Sequence, residues 1–254
     1  MVKLDSKKQP ICGGDAISFA WEDGFPKGYG HTSLSYLKHC KGFEEAKNGD
    51  MNAAIDVVKK CVKTNRLQEF RAEYSDSFLL PVRSRNMLPL ALSYEIGLKI
   101  WDQVFLKSTI HRKSLYAIQR LQHSPVFVGH IQKDMTYIIV DDIVTQGGTI
   151  SALRKHVLAY GGKVAAIVAL AYAIGSYDIA PTRGIMVRLL VKFGDSICQF
   201  QSIGLVNSFD ELTNSQAKYL LRFSSIHNIF KKIAKYNRNH IIKQKYDDDT
   251  ILVE

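Results

Sequence analysis

The 254 residues include 34 lysines and arginines against 24 aspartates and glutamates, a formal net charge of +10, with 46% apolar and 23% charged residues. That balance belongs to a folded chain with a full core and excludes a disordered or low-complexity one. No apolar run is long enough to span a membrane, so no membrane partner is expected, and the excess of cations calls for an anionic ligand or partner.

The chain starts with polar residues, Met1 to Pro10, without the apolar core of a secretory signal. Its four cysteines, Cys12, Cys40, Cys61 and Cys198, show neither C-x-x-C nor zinc spacing. They read as free thiols in a reducing compartment, and a cytoplasmic location is expected. Residues 1–75 read as an N-terminal extension, a possible hood over a cleft. Turn signals crowd its first part (Gly13-Gly14, Asp23-Gly24, Pro26, Gly28 to Gly30). A short helix is expected from Leu34 to Cys40. A second has Met51, Ala54, Ile55, Val58 and Val62 at three- and four-residue steps behind Asp50 as N-cap.

Residues 76–205 read as the core. Phe78 to Val82 is a short apolar strand, Arg83 to Met87 a loop, and Pro89 to Leu98 a helix opened by its proline. Trp101 to Phe105 reads as the next strand. Lys107 to Gln132 carries His111, Arg112, Lys113, Arg120 and His123 with little periodicity. Tyr137 to Val140 is a buried parallel strand, Ser151 to Ala159 a helix closed by Gly161-Gly162, and Val164 to Tyr172 and Met186 to Phe193 two further strands. Alternating strands and helices predict an α/β fold, an open parallel sheet with helices on both faces. Its ligands are expected at the carboxyl ends of strands, where Arg85, Lys107 and Asp141 follow predicted strands. Residues 206–254 read as a helical segment with a basic tail. Thr213 to Gln216 fits a capping box, and Ala217, Leu220, Leu221, Phe223, Ile226, Ile229, Phe230 and Ile233 form an apolar stripe. Six cations follow without an intervening acid: Lys231, Lys232, Lys235, Arg238, Lys243 and Lys245. They suit a solvated helix and tail, or a surface for nucleic acid.

The chemistry concentrates between Tyr137 and Ile150. Gly147 and Gly148 remove side chains where backbone N–H groups can close around an anion. The helix that follows turns its positive end to the same place, and Thr145 and Thr149 add hydroxyls. Asp141 and Asp142 cannot bind phosphate; they suit sugar hydroxyls or a divalent metal. Phosphate donors beside a diol-binding acid pair suit a ribose 5-phosphate.

These fourteen consecutive positions resemble the signature of the type I phosphoribosyltransferases, which bind 5-phosphoribosyl-1-pyrophosphate (PRPP): four mostly apolar residues, two acids, two apolar or small residues and a Thr-x-Gly-Gly-Thr-like loop. The resemblance spans roughly Phe78 to Val191. It implies transfer of the phosphoribosyl group to a nitrogen acceptor with release of pyrophosphate. It assigns Asp141 and Asp142 to the ribose hydroxyls, directly or through Mg²⁺, and Thr145, Gln146, Gly147, Gly148 and Thr149 to the 5-phosphate. Ser84 and Arg85, before the Leu90-to-Gly97 helix, resemble the pyrophosphate loop of adenine phosphoribosyltransferases, with Asn86-Met87 where that family has Gly-Phe. Lys107 and Arg112, with Arg120, fall where the family has a mobile catalytic loop, a likeness shared with the ComF-like proteins. Val144 stands where hypoxanthine-guanine enzymes carry a third acid, so that subclass is not expected. A homo-oligomer is expected. The alternative is a PRPP- or nucleotide-binding regulator without turnover, acting with nucleic acid. The sequence does not name the acceptor.

Overall fold

The computed structural model describes residues 15–18, 29–62, 64–107, 117–172, 181–206, 209 and 212–236. The chain divides into two compact units: Met1–Ser108 with Pro125–Ala180, and Thr109–Ser124 with Pro181–Glu254.

The first unit is built on four parallel strands. These are β1 (Asp15–Ser18), β2 (Phe78–Pro81), β5 (Thr136–Val144) and β6 (Lys163–Tyr172), in the order β1-β6-β5-β2. Strand β1 is announced by no apolar pattern in the sequence. The others are, because strands buried on both faces read as unbroken apolar runs. Alternate residues of those runs feed two cores. Leu79, Ile138, Val140, Ala166, Val168 and Leu170 pack on one side. Leu80, Tyr137, Ile139, Val164, Ile167 and Ala169 pack on the other.

Helices cover the sheet unequally. The first side receives α1 (Tyr29–His39) through Leu37, α2 (Phe43–Lys47) through Phe43 and Ala46, and α3 (Met51–Cys61) through Ala54, Val57 and Val58. It also receives α4 (Thr64–Glu73) through Leu67 and Phe70, and α5 (Leu88–Ile96) through Leu88, Ala91, Leu92 and Ile96. The expected start of α3 holds: the Asp50 carboxylate accepts from the Ala53 N–H at 3.0 Å. The second side receives α7 (Gly148–Ala159) through Ile150, Leu153 and Val157. It is completed by Val104 of β3 (Val104–Leu106) and Phe127 of β4 (Phe127–Gly129).

The stretch expected to form the next core strand departs from that reading. Ile100 makes one parallel bridge to Leu79, and the strand itself, β3, pairs antiparallel with β4 in a separate two-stranded ribbon. Trp101 turns its indole N–H to the His130 carbonyl at 2.7 Å and its ring edge to Tyr137, which anchors the start of the ribbon under the sheet.

The second unit has its own core. It holds α6 (Ala117–Gln122), α8 (Arg183–Phe193), α9 (Ile197–Ser202), α10 (Asn214–Leu221) and a helix over residues 226–236, here α11. Ile118, Leu189, Phe193, Phe200, Leu220 and Ile229 are buried together. The strand expected at Met186 to Phe193 is helix α8 instead. Leu189 and Phe193, four apart, are buried, while Val187, Leu190 and Val191 are exposed, which is a helical period and not an alternation. The capping box is present as expected: Thr213 Oγ1 accepts from the Gln216 N–H at 3.2 Å and Gln216 Oε1 from the Thr213 N–H at 2.8 Å.

Candidate functional site

The site follows from the route of the chain around β2 and β5. Pro81 pairs with Val140, and the Val82 N–H donates to the Val140 carbonyl at 2.8 Å, so β2 ends beside Val140 while β5 continues past it to Val144. From β2 the chain passes through α5, on the first side, to Ile100 at the outer edge. From β5 it passes through α7, on the second side, inward to β6. Two neighbouring strands whose following helices lie on opposite faces form a topological switch point, where the departing loops open a crevice. The loop after β2 carries Ser84 and Arg85. The end of β5 and its loop carry Asp141, Asp142 and Thr145 to Gly147.

Strand β5 runs four residues further than Tyr137 to Val140, so the acid pair lies within its last turns of pleat, still hydrogen-bonded to β6. Asp141 stands opposite Ala169 in continuous register, and its carboxyl folds back along the strand onto the next residue. Both aspartates are buried, at 7% exposure each. Burial pushes the Asp141 carboxyl well above the ordinary carboxylate range. The Asp142 charge and a hydrogen bond between the two carboxyl groups push the same way; the Asp142 N–H, which donates to Asp141 Oδ1 at 2.9 Å, and Lys47 oppose them. Asp142 Oδ2 accepts from the Lys47 ammonium at 2.9 Å.

After Val144 the chain turns at Thr145 and Gln146, both exposed, into a buried Gly147. Gly147 is the N-cap of α7 with φ 71°, left-handed backbone that disfavours a side chain. Gly147 has no side chain with which to cap this helix end. Gly148 and Thr149, half-buried, already belong to its first turn, three residues before the predicted start at Ser151. The 12-residue helix therefore presents backbone N–H groups and the positive end of its dipole beside the acid pair.

The loop after β2 is held by its own polar groups. Ser84 Oγ accepts from the Asn86 N–H at 3.2 Å, and Asn86 Oδ1 accepts from the Leu88 N–H at 3.1 Å. The departure at Asn86 thus becomes an Asx turn that opens α5. Arg85 is exposed, and its Nε donates to the Asn48 carbonyl at 3.0 Å. The Met87 N–H donates to the Ala46 carbonyl at 3.0 Å. The end of α2 and the turn after it thereby touch both halves of the site, Asp142 through Lys47 and the β2 loop through Ala46 and Asn48. Sequence reading missed Lys47: it lies 95 residues from Asp142, on a five-residue helix between the two helices that were expected.

The remaining expected residues fall on other elements or outside the described residues. Lys107 is exposed at the end of the β3–β4 ribbon, its N–H on the Val126 carbonyl at 2.8 Å, so the strand it follows is not one of the parallel sheet. Arg112 lies outside the described residues. Arg120 lies on α6 in the second unit. Of the C-terminal cations, Lys231, Lys232 and Lys235 lie on α11, with the Lys232 ammonium 5.0 Å from the centre of the Tyr236 ring. Arg238, Lys243 and Lys245 lie outside the described residues.

Two adjacent carboxylates can hold a hard cation such as Mg²⁺ when a bound anion completes its oxygen shell. Among the described residues no cluster of three or more His, Cys, Asp or Glu exists to hold one unaided. Also among them, no helix is long and apolar enough to cross a membrane.

No family model matches the chain. It is 27% identical over 225 residues to Protein TraN of Escherichia coli, covering 84% of this chain and 50% of that protein, so it spans half the length of that relative. Among solved structures it is similar to the purine phosphoribosyltransferase of Pyrococcus horikoshii, at 17% identity over 62% of this chain and 78% of that one, with a TM-score of 0.32. The adenine phosphoribosyltransferase of Rhodothermus marinus gives 16% identity over 56% of this chain and 98% of that one, with a TM-score of 0.35. Superpositions of that quality leave the α/β fold to rest on its own strand order and register.

Proposed function

We propose that the chain binds PRPP with Mg²⁺ at the carboxyl ends of β2 and β5 and transfers its phosphoribosyl group to a nitrogen acceptor, releasing pyrophosphate. The observation that carries this reading is the acid pair and the uncapped N-terminus of α7 meeting at a switch point, on the fourteen residues that resemble the PRPP signature. The α7 N–H groups, with Thr145 and Thr149, would cradle the 5-phosphate. Asp141 and Asp142 would orient the ribose through its hydroxyls. Arg85, with Ser84 setting its loop, would grip the pyrophosphate and stabilise the charge that develops as it leaves. Mg²⁺, held by Asp142 and Asp141 together with ligand oxygens, would supply neutralisation of that leaving group.

Titration calorimetry with PRPP and Mg²⁺ tests the binding step. Losing charge-assisted hydrogen bonds of about 1.5–3 kcal/mol each, the Asp141→Asn/Asp142→Asn double variant should lose affinity by about a hundredfold or more while keeping its circular dichroism. Unchanged affinity in the folded double variant overturns the reading. Pyrophosphate release, screened across bases and nucleosides, then separates transferase from regulator. Binding without release against any acceptor would favour the regulator.

A further inference from the structure

Lys47 is held unlike an ordinary surface lysine. Its ammonium meets Asp142 Oδ2 at 2.9 Å, and the two side chains are only 28% and 10% exposed. The same ammonium lies 5.3 Å from the centre of the Phe43 ring, and Phe43 is buried in the first core. The short helix that carries both residues is tied down at its end by the Met87 N–H on the Ala46 carbonyl, and the next residue, Asn48, holds Arg85. Placing a flexible ammonium so firmly costs side-chain entropy, which an exposed ion pair seldom repays. Its position is a property of the site. Of the acid pair, Asp142 Oδ2 takes the ammonium, while Asp141 Oδ1 accepts from the Asp142 N–H.

We propose that Lys47 is the resident cation of this site and controls when metal enters it: the ammonium holds the Asp142 carboxylate that a divalent metal would need. The free protein then excludes divalent metal, and metal enters together with an anionic ligand able to draw the ammonium to itself. The turn that carries Lys47 also holds Arg85, so an anion reaching the β2 loop reaches that turn as well. This inference rests on the reading of the site as a ribose-phosphate and pyrophosphate site.

The test uses Mn²⁺ alone as the probe, titrated into the whole chain and followed by the loss of the free-ion electron paramagnetic resonance signal. Lys47→Met should bind Mn²⁺ on the order of tenfold tighter than wild type, because a unit positive charge beside the carboxylate has gone. Lys47→Gln gives a second neutral variant should Lys47→Met fail to fold. Lys47→Arg, which keeps the charge, should bind Mn²⁺ as weakly as wild type. Adding Asp142→Asn to Lys47→Met should abolish the gain. Folded neutral variants that bind Mn²⁺ no more tightly than wild type overturn the proposal, as does a gain that survives Asp142→Asn. PRPP binding by wild type is measured separately. If it is absent, the ribose-phosphate reading falls, and the Mn²⁺ comparison still decides what Lys47 does.

Discussion

The loops that follow β2 and β5 lie side by side and treat their polar groups in opposite ways. After β2, Ser84 and Asn86 close on backbone N–H groups within two residues, and Asn86 opens α5. After β5, a left-handed glycine opens α7 with no side-chain cap, beside two buried acids, one of them held well above its usual protonation range by burial. The first loop stabilises the fold and lends one arginine outward. The second carries a local cost to the fold, and on the function proposed above a phosphorylated sugar would complete it. Local stability and readiness for ligand thus divide between neighbouring loops, as expected where preorganised sites break local rules.

The sharpest break of this comparison is Arg85→Ala. It removes the group of that loop proposed above to meet pyrophosphate and leaves Ser84 and Asn86 in place. Loss of a preorganised donor to a departing anion typically costs about 2–4 kcal/mol. Turnover of PRPP should fall accordingly, while affinity for ribose 5-phosphate, which has no pyrophosphate, should hardly change. Equal losses for both ligands would show that Arg85 serves only to tie Asn48 to the loop.

A second break exploits the cost carried by β5. The unfolded chain releases the Asp141 proton near the ordinary value of about 3.9. The folded chain keeps it to higher pH, because of burial first and Asp142 second. Between those values the folded state binds more protons, so this contribution to stability is complete below the ordinary value and is lost as pH rises through the native one. Asp141→Asn keeps an oxygen for the Asp142 N–H and cannot ionise. The variant should melt above wild type at pH 8, with the difference shrinking toward pH 4. A difference in melting temperature that does not change with pH would rule out a buried, ionising Asp141.

What the sequence disclosed follows the range of the interactions. Elements specified within a few residues were legible: the Asp50 cap, the proline that opens α5, the capping box at Thr213, and the run from β5 through Gly147 into α7. Met186 to Phe193 misled because its six apolar residues suit a strand as well as a helix; the helix is settled by which residues the second core accepts. Strand β1 is short and gains its place by pairing with β6, about 150 residues away. Lys47 was illegible for the same reason, since its partner lies 95 residues on and no local pattern marks it. The acids and the glycines of the site could be read; the cation set against them could not.

The smallest effect tests the stable loop itself. Asn86→Ala removes the acceptor of the Leu88 N–H at the start of α5. Loss of a cap of this kind costs about 1 kcal/mol. The urea midpoint should therefore shift down with its slope unchanged, since the surface exposed on unfolding is the same. PRPP affinity should stay close to wild type, because Arg85 is still anchored by Asn48 and the acid pair and α7 are untouched. A variant of unchanged stability that loses PRPP would reverse the comparison. The β2 loop would then be poised for ligand as the end of β5 is, and its internal hydrogen bonds would serve to aim Arg85 and not to hold the fold.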